Sequence, residues 1–132
     1  MKRRCRGGLL LALFSWSMGV FAQVNQDSPF DPFRAEKSLE IGEFYLKKRN
    51  YDAAIERFKE SIRYKPNFAL PHRLLGEAYE KKGDPAEAVK NYRKYLEILP
   101  VAQDAEKVRK RIEKLSRTLE RKAKRSPSPK SR

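Results

Sequence analysis

The spacing of apolar residues along the chain predicts five successive helices. From about residue 31 to residue 125, aliphatic, aromatic and small residues recur every three or four positions, with charged and polar residues between them. Residues typical of turns and helix ends interrupt this pattern at 48–50, Pro66, Gly83 and Pro100. We therefore expect an all-α fold with helices over 32–48, 52–64, 68–82, 85–98 and 101–125.

Start and stop signals support these boundaries. Asp31 and Asp84 are each followed by a proline. A carboxylate there can accept hydrogen bonds from the free N–H groups of the first turn, and proline suits the first helical position. Asn67 is a similar candidate cap for the third helix. Gly83 suits the end of that helix because glycine readily adopts the left-handed conformation found there.

The first four helices contain one pattern twice, at a constant spacing that we call the repeat period. Gly42, Tyr45, Ala54, Phe58 and Pro66 recur as Gly76, Tyr79, Ala88, Tyr92 and Pro100. Closely crossing helices need small residues where their backbones meet and large residues in the remaining gaps. We expect the glycines to face the alanines, and the aromatic residues to fill the larger gaps.

This set of residues, repeated at a period of about 34 residues, resembles the tetratricopeptide repeat, in which pairs of antiparallel helices stack into a solenoid. The resemblance implies a domain over 31–125, with repeat 1 over 35–68 and repeat 2 over 69–102. It also implies a non-catalytic scaffold for protein–protein interactions. Because two repeats leave both ends of the stack open, a homodimer or a larger complex is compatible with the sequence.

The fifth predicted helix, 101–125, lacks the glycine, tyrosine and alanine pattern. Its apolar residues form a single stripe, which indicates a helix with one buried face. We expect it to cap the solenoid by covering the fourth helix. The stripe consists of Val101, Ala105, Val108, Ile112, Leu115 and Leu119.

The two ends of the chain differ in composition from this domain. Residues 1–22 have a basic start, a mostly apolar run over 9–21, and small residues at Val20 and Ala22. This pattern predicts a secretory signal peptide cleaved before Gln23. An uncleaved membrane anchor is the alternative, although a spanning helix needs about 20 apolar residues. Residues 23–30 are an expected linker, and 126–132 an expected disordered basic tail.

A second resemblance concerns the segment EIGEFYLKKRNYDAAIERFK, residues 40–59. It is similar to the repeats of the periplasmic lipoprotein of the outer-membrane β-barrel assembly machine (BamD-like). The resemblance implies an exported protein of the Gram-negative envelope, periplasmic or associated with the outer membrane, that docks assembly components. Members of that family carry a lipid-attached cysteine and more repeats. The single cysteine here, Cys5, precedes the apolar run and cannot serve as that anchor.

The tetratricopeptide resemblance implies a peptide groove on the first helix of each repeat. Chaperone-binding relatives clamp a terminal carboxylate with Lys, Arg and Asn, but Glu43 and Glu77 would repel such a ligand. A mixed groove suits an extended or helical peptide better; alternatively, these charges only solvate a helix face. The candidate groove residues are Glu36, Leu39, Glu43, Leu46, Lys47, Leu70, Arg73, Glu77, Glu80 and Lys81.

Charge is distributed unevenly along the chain. Residues 35–104 hold 14 Lys/Arg and 12 Asp/Glu, whereas 105–132 hold 12 and 3. Such a basic end indicates either a solvated surface or contact with an anionic membrane or another polyanion. Nucleic acid is disfavoured because no aromatic residue follows Tyr95 to stack on a base. The candidate contacts are Lys107, Lys110, Arg111, Lys114, Arg117, Arg121, Lys122 and Arg125.

The composition argues against an enzyme. The chain has one histidine, His72, no glycine-rich phosphate loop, and no His, Asp or Glu spacing typical of a metal site. We expect no cofactor and no bound metal, and we expect His72 to be a packing or surface residue.

Overall fold

The computed structural model describes residues 30–125, which form five α-helices and no strand. They are α1 (Pro32–Lys47), α2 (Tyr51–Tyr64), α3 (Ala69–Lys82), α4 (Pro85–Ile98) and α5 (Ala105–Arg125). Each helix packs against the next one, and α1 also contacts α3. This arrangement confirms the predicted all-α stack of two helix pairs and a fifth helix. The expected signal peptide, residues 23–29 of the linker and the tail lie outside the described residues.

Side-chain caps begin three of the helices. Asp31, Asn50 and Asp84 each accept a hydrogen bond from the backbone N–H three residues further on, at 3.0, 3.2 and 3.2 Å. The start of α3 differs from our expectation of a cap at Asn67. The N-cap residue there is Phe68, which makes no side-chain capping bond.

The two helix pairs turn in the same way. The N–H of Asn50 donates to the carbonyl of Tyr45, and the N–H of Asp84 donates to the carbonyl of Tyr79, both at 2.9 Å. The residue before each donor is left-handed, with φ of 59° at Arg49 and 90° at Gly83. Glycine adopts this conformation freely, whereas in L-residues it costs about 1–2 kcal/mol of conformational free energy.

An aromatic ring lies against a helix backbone in each repeat. A Cβ atom built on Gly42 would lie 2.5 Å from a ring carbon of Phe58, and one built on Gly76 would lie 2.7 Å from a ring carbon of Tyr92. Phe58 and Tyr92 are among the largest fully buried side chains. The rings therefore occupy the space beside the glycines, where we had expected the two alanines. Ala54 and Ala88 are also completely buried.

The core is continuous from α1 to α5. One buried cluster joins α1, α2 and α3 around Phe58, and a second joins α4 and α5 around Tyr92. Tyr79 packs against both clusters. The apolar face of α5 completes the second cluster through Val108 and Leu115.

The outer face of α5 explains why the stack ends there. Positions that hold Leu75, Gly76 and Tyr79 in α3 hold, one repeat period later, Arg109, Lys110 and Glu113 in α5. These three residues are exposed. A further helix packed there would have to desolvate these charges, which is costly. The sequence of α5 thus suits the capping role that we expect for this helix.

The fifth helix begins later than the apolar pattern indicates. Its first residue is Ala105, and Val101 is 89% exposed in the preceding turns. Leu99 leaves the helical conformation at the end of α4, and Pro100 has no N–H with which to continue a helix. Val101 therefore does not belong to the buried stripe.

His72 is a packing residue in this structure. It is 7% exposed, and neither ring nitrogen makes a hydrogen bond within the described part of the chain. Burial lowers the pKa of His72 below its ordinary value of 6.5, with a smaller lowering from Lys94 and opposing effects from the Pro66 carbonyl, Asn91 and Glu97. The folded protein therefore favours the neutral imidazole.

Replacing the glycine that faces Tyr92 should destabilise the fold. We expect Gly76→Leu to lower the free energy of unfolding by about 1–3 kcal/mol or more, because the Tyr92 ring already fills the space beside Gly76. Phe58→Ala should lower it by about 3–5 kcal/mol by opening a cavity. Urea denaturation measures both changes, and variants as stable as the parent would contradict the packing described above.

Stability should fall in mild acid because of His72. A depressed pKa means that the unfolded chain binds the proton more readily, so stability is lost as the pH falls below about 6.5. One such group contributes at most about 1.4 kcal/mol per pH unit. We expect His72→Leu to flatten the dependence of the melting temperature on pH between 7 and 5. Parallel curves for the variant and the parent would show that His72 does not cause the loss.

Candidate peptide-binding groove

Helices α1, α3 and α5 line a groove made of two adjoining cavities. The first has a volume of about 420 Å³ and lies between α1 and α3; the second has about 260 Å³ and lies between α3 and α5. Glu77 lines both, so the two cavities meet at this side chain. The first is lined by Glu43, Leu46, Lys47, Arg49, Tyr51, Leu74, Glu77 and Lys81. The second is lined by Arg73, Glu77, Tyr92, Asp104, Lys107, Val108 and Arg111.

The groove combines an apolar floor with charged walls. Leu74 and Val108, each nearly buried, lie at equivalent positions one repeat period apart and contribute to the floors of the two cavities. Leu46 adds a partly buried apolar side chain to the first cavity. Charged residues predominate in both linings, so the groove is suited to a peptide segment that carries charges of its own.

Ion pairs occupy part of the charged wall. Lys81 lies 3.6 Å from Glu77 along α3, and Arg73 lies 3.4 Å from Asp104. Asp104 also accepts a hydrogen bond from the Tyr95 hydroxyl. Arg73 is thereby held against the connection between α4 and α5.

Four other groove charges have no ion pair within residues 30–125. They are Glu43, Lys47 and Arg49 in the first cavity and Lys107 in the second. Their charged groups can bind a partner without first breaking a salt bridge. These four side chains are the strongest candidates for contacts with a charged ligand.

A hydrogen-bonded triad fixes α5 against α3 at the groove. The Tyr92 hydroxyl donates to Glu80 Oε2 at 2.8 Å, and Arg111 Nη1 donates to the Tyr92 oxygen at 2.9 Å. Arg111 also lies 3.4 Å from Glu80 Oε2. Burial raises the pKa of Tyr92 well above its ordinary value, so its hydroxyl keeps the proton that it donates. Glu80 and Arg111 therefore position the groove wall.

The structure places some of the predicted groove residues in the two cavities and the others elsewhere. Of those ten residues, Glu43, Leu46, Lys47, Arg73, Glu77 and Lys81 line the two cavities. Leu39 and Leu70 belong to the first core cluster, Glu80 to the triad, and Glu36 is exposed outside both cavities. The binding role of all ten stays a prediction.

Sequence reasoning missed the part of the groove that α5 supplies. Lys107 and Arg111 follow Arg73 and Glu77 by one repeat period, so the period itself places them in the second cavity. We had set α5 apart because it lacks the small and aromatic residues of the repeats. The structure shows that α5 keeps the groove-lining positions of a repeat while it changes the outward-facing ones.

The remaining basic residues of α5 lie on an outer face that adjoins the groove. Lys110 and Lys114 line a hollow of about 600 Å³ together with the groove residues Lys107 and Arg111. Lys110, Lys114, Arg117 and Arg121 line a shallow hollow of about 320 Å³ together with Glu113 and Thr118. Arg117 is paired with Glu113. Lys122 and Arg125 are exposed near the end of the helix. The eight basic residues predicted to contact an anionic surface thus divide between the groove and an outer face.

Metal-ligand clusters and membrane-spanning helices are both absent from the described residues. Within 30–125, no group of three His, Cys, Asp or Glu side chains is placed to bind a metal ion. No helix in that range has the length and apolar character needed to span a bilayer.

Known family models match the two repeats. A model described as TPR repeat matches residues 42–83, and a model described as tetratricopeptide repeat matches residues 69–100. The two matches overlap in α3 and together run from Gly42 of repeat 1 to Pro100.

Two curated proteins of Arabidopsis thaliana are similar to this chain. One is the probable UDP-N-acetylglucosamine–peptide N-acetylglucosaminyltransferase SEC, 33% identical over 88 residues, and the other is Hsp70-Hsp90 organizing protein 3, 30% identical over 81. The alignments cover 64% and 61% of this chain. They cover only 9% and 14% of the relatives, so this chain spans a small part of the length of those proteins.

Among solved structures, the chain is similar to the first TPR domain of Spaghetti (RPAP3), determined with the HSP90 peptide SRMEEVD. The identity is 19%, the TM-score is 0.44, and the match covers 70% of this chain and 98% of that one. The helix pairs, the buried glycine–ring contacts and the two family matches together show that residues 42–100 of this chain are tetratricopeptide repeats.

Proposed function

We propose that this protein is a scaffold that holds a peptide segment of a partner protein in the groove formed by α1, α3 and α5. The observation that carries the proposal is the pair of adjoining cavities that share Glu77. Unpaired charges at Glu43, Lys47 and Lys107 surround the apolar floor of these cavities. Repeats of this class act as protein–protein interaction modules, and such a groove suits that role.

The charges of the groove indicate the kind of peptide. Glu43 and Glu77 lie towards α1 and α3 and would pair with basic side chains, whereas Lys107 on α5 would pair with an acidic one. A ligand recognised only by its terminal carboxylate would meet repulsion from both glutamates. We therefore propose a mixed-charge segment, extended or helical, that crosses the groove from α1 to α5.

We further propose that the scaffold works in the envelope of a Gram-negative bacterium, in outer-membrane protein assembly. Support comes from the signal-peptide pattern of residues 1–22 and from the likeness of residues 40–59 to the β-barrel assembly lipoprotein. In this setting, the mixed-charge peptide would belong to an assembly component or to a nascent barrel protein.

A second candidate function rests on the outer face of α5. Lys110, Lys114, Arg117 and Arg121 share one side of the helix, where Glu113 is the opposing acid. Each basic residue near an anionic lipid surface contributes about 1 kcal/mol of binding. This face would attach the scaffold to a membrane while the groove remains free for its ligand.

Charge reversal in the groove should remove the peptide partner. We expect Lys47→Glu with Lys107→Glu to weaken binding by roughly tenfold, because both side chains lie at the groove without an intramolecular partner. Partners cross-linked to the parent in envelope extracts would be identified first. Affinity for the cross-linked segment would then be measured by fluorescence anisotropy.

The matched control is Lys59→Glu with Lys90→Glu, which reverses two exposed charges on α2 and α4, away from the groove. The control should bind as the parent does. Equal losses in both variants would show that net charge, rather than the groove, determines binding.

Attachment through the outer face of α5 should depend on lipid charge. We expect the protein to sediment with vesicles that contain anionic lipid at low salt, and to be released at moderate salt. Lys114→Glu with Arg121→Glu should abolish this binding and leave peptide affinity unchanged. Sedimentation with purely neutral vesicles, or retention by the variant, would exclude the second candidate function.

A further inference from the structure

One side of α1 carries exposed aromatic residues. We call it the α1 outer face and define it by Phe33, Lys37, Glu40, Ile41 and Phe44. Phe33 is 79% exposed and Phe44 is 56% exposed. Exposed aromatic residues on one stripe of a helix are typical of an interaction surface.

The repeat register explains what this face is suited to contact. The residues one repeat period after Lys37, Glu40, Ile41 and Phe44 lie on α3, where all of them are buried. They are Pro71, Leu74, Leu75 and Ala78, and the last three share a cluster with residues of α2. The α1 outer face is therefore the side on which a preceding helix of the stack would pack. Among residues 30–125, no helix lies there.

The residues of this face are arranged symmetrically. Phe33, Lys37, Glu40 and Phe44 are spaced four, three and four apart, so they lie on one stripe of the helix. When two copies of one helix lie antiparallel, the sequence numbers of two residues that face each other always add up to the same value. Both Phe33 with Phe44 and Lys37 with Glu40 give the sum 77.

We propose that the α1 outer face binds the same face of a second copy of this chain, with the two α1 helices antiparallel about a twofold axis. Each Phe33 then packs on Phe44 of the other copy, and each Lys37 pairs with Glu40 of the other copy. A single patch that is complementary to itself is the requirement for a twofold dimer.

The charged pair can be exchanged between copies without a change of fold. Within one chain, Lys37 Nζ lies 3.3 Å from Glu40 Oε2, and both side chains are more than 60% exposed. An exposed pair of this kind contributes little to stability. Lys37 and Glu40 can therefore turn to the opposite copy, and two such pairs form in place of the two internal ones.

The dimer leaves the groove open and is small. The stripe spans about 16 Å along the helix, so one pair of α1 helices buries less surface than a standard interface of about 1,600 Å². We therefore expect reversible association. None of the groove-lining residues belongs to the α1 outer face, so a dimer presents two grooves and would bind a multivalent partner more tightly than one copy does.

Charge exchange tests both the face and its orientation. In sedimentation velocity on the protein as it accumulates in cells, the average mass should rise from that of one chain towards that of two with increasing concentration. Lys37→Glu and Glu40→Lys should each weaken dimerisation by roughly tenfold or more, because like charges then face each other. A mixture of the two variants should restore it, because the copy that is acidic at both positions then faces the copy that is basic at both.

Matched controls separate this result from general electrostatics. Lys59→Glu and Glu56→Lys reverse an exposed pair of the same spacing on α2, and both should dimerise as the parent does. Phe44→Asp should remain monomeric with the melting temperature of the parent monomer. A parent that is monomeric at all concentrations would overturn the proposal. Failure of the mixture to associate, or a large loss of stability in Phe44→Asp caused by a covering segment of the same chain, would overturn it too.

Discussion

Contact between an aromatic ring and a glycine backbone holds each helix pair together. Phe58 lies against Gly42 and Tyr92 against Gly76, closer than any side chain at the glycine position would permit. The contact sets how closely the two helices of a repeat approach. In repeat 2 it also determines the position of the Tyr92 hydroxyl, which hydrogen-bonds to Glu80 and is held by Arg111. The packing of the repeat and one wall of the groove thus depend on the same side chain.

The helix that ends the stack also contributes to the groove. On the side of α5 that faces α4, Val108 and Leu115 complete the core. On the groove side, Lys107 and Arg111 occupy the positions that line a repeat. On the outward side, charged residues replace those on which a further helix would pack. The opposite end of the stack is different, because α1 presents exposed phenylalanines there. The proposed dimer covers these residues.

Most of the fold could be predicted from the sequence because its signals are local. Period, caps and turn glycine indicated α1 to α4 within one or two residues, and the glycine–aromatic pattern indicated the packing. Features set by tertiary contacts were less accessible. The cap expected at Asn67 does not form, Val101 precedes α5, and the rings rather than the alanines face the glycines. The α1 and α3 walls of the groove were predicted, but the α5 wall was not. The α5 residues follow from the repeat period, although α5 lacks the small and aromatic residues of the repeat motif.

A double-mutant cycle between Gly42 and Phe58 tests the central contact most directly. In the parent, Gly42→Ala places a methyl group in the space of the Phe58 ring and should lower the free energy of unfolding by more than about 1 kcal/mol. In a Phe58→Leu background the same substitution should cost much less, or stabilise the helix, because alanine is favoured over glycine in helices by roughly 0.5–1 kcal/mol. Equal effects of Gly42→Ala in the two backgrounds would show that the ring and the glycine are not coupled, and would contradict the account.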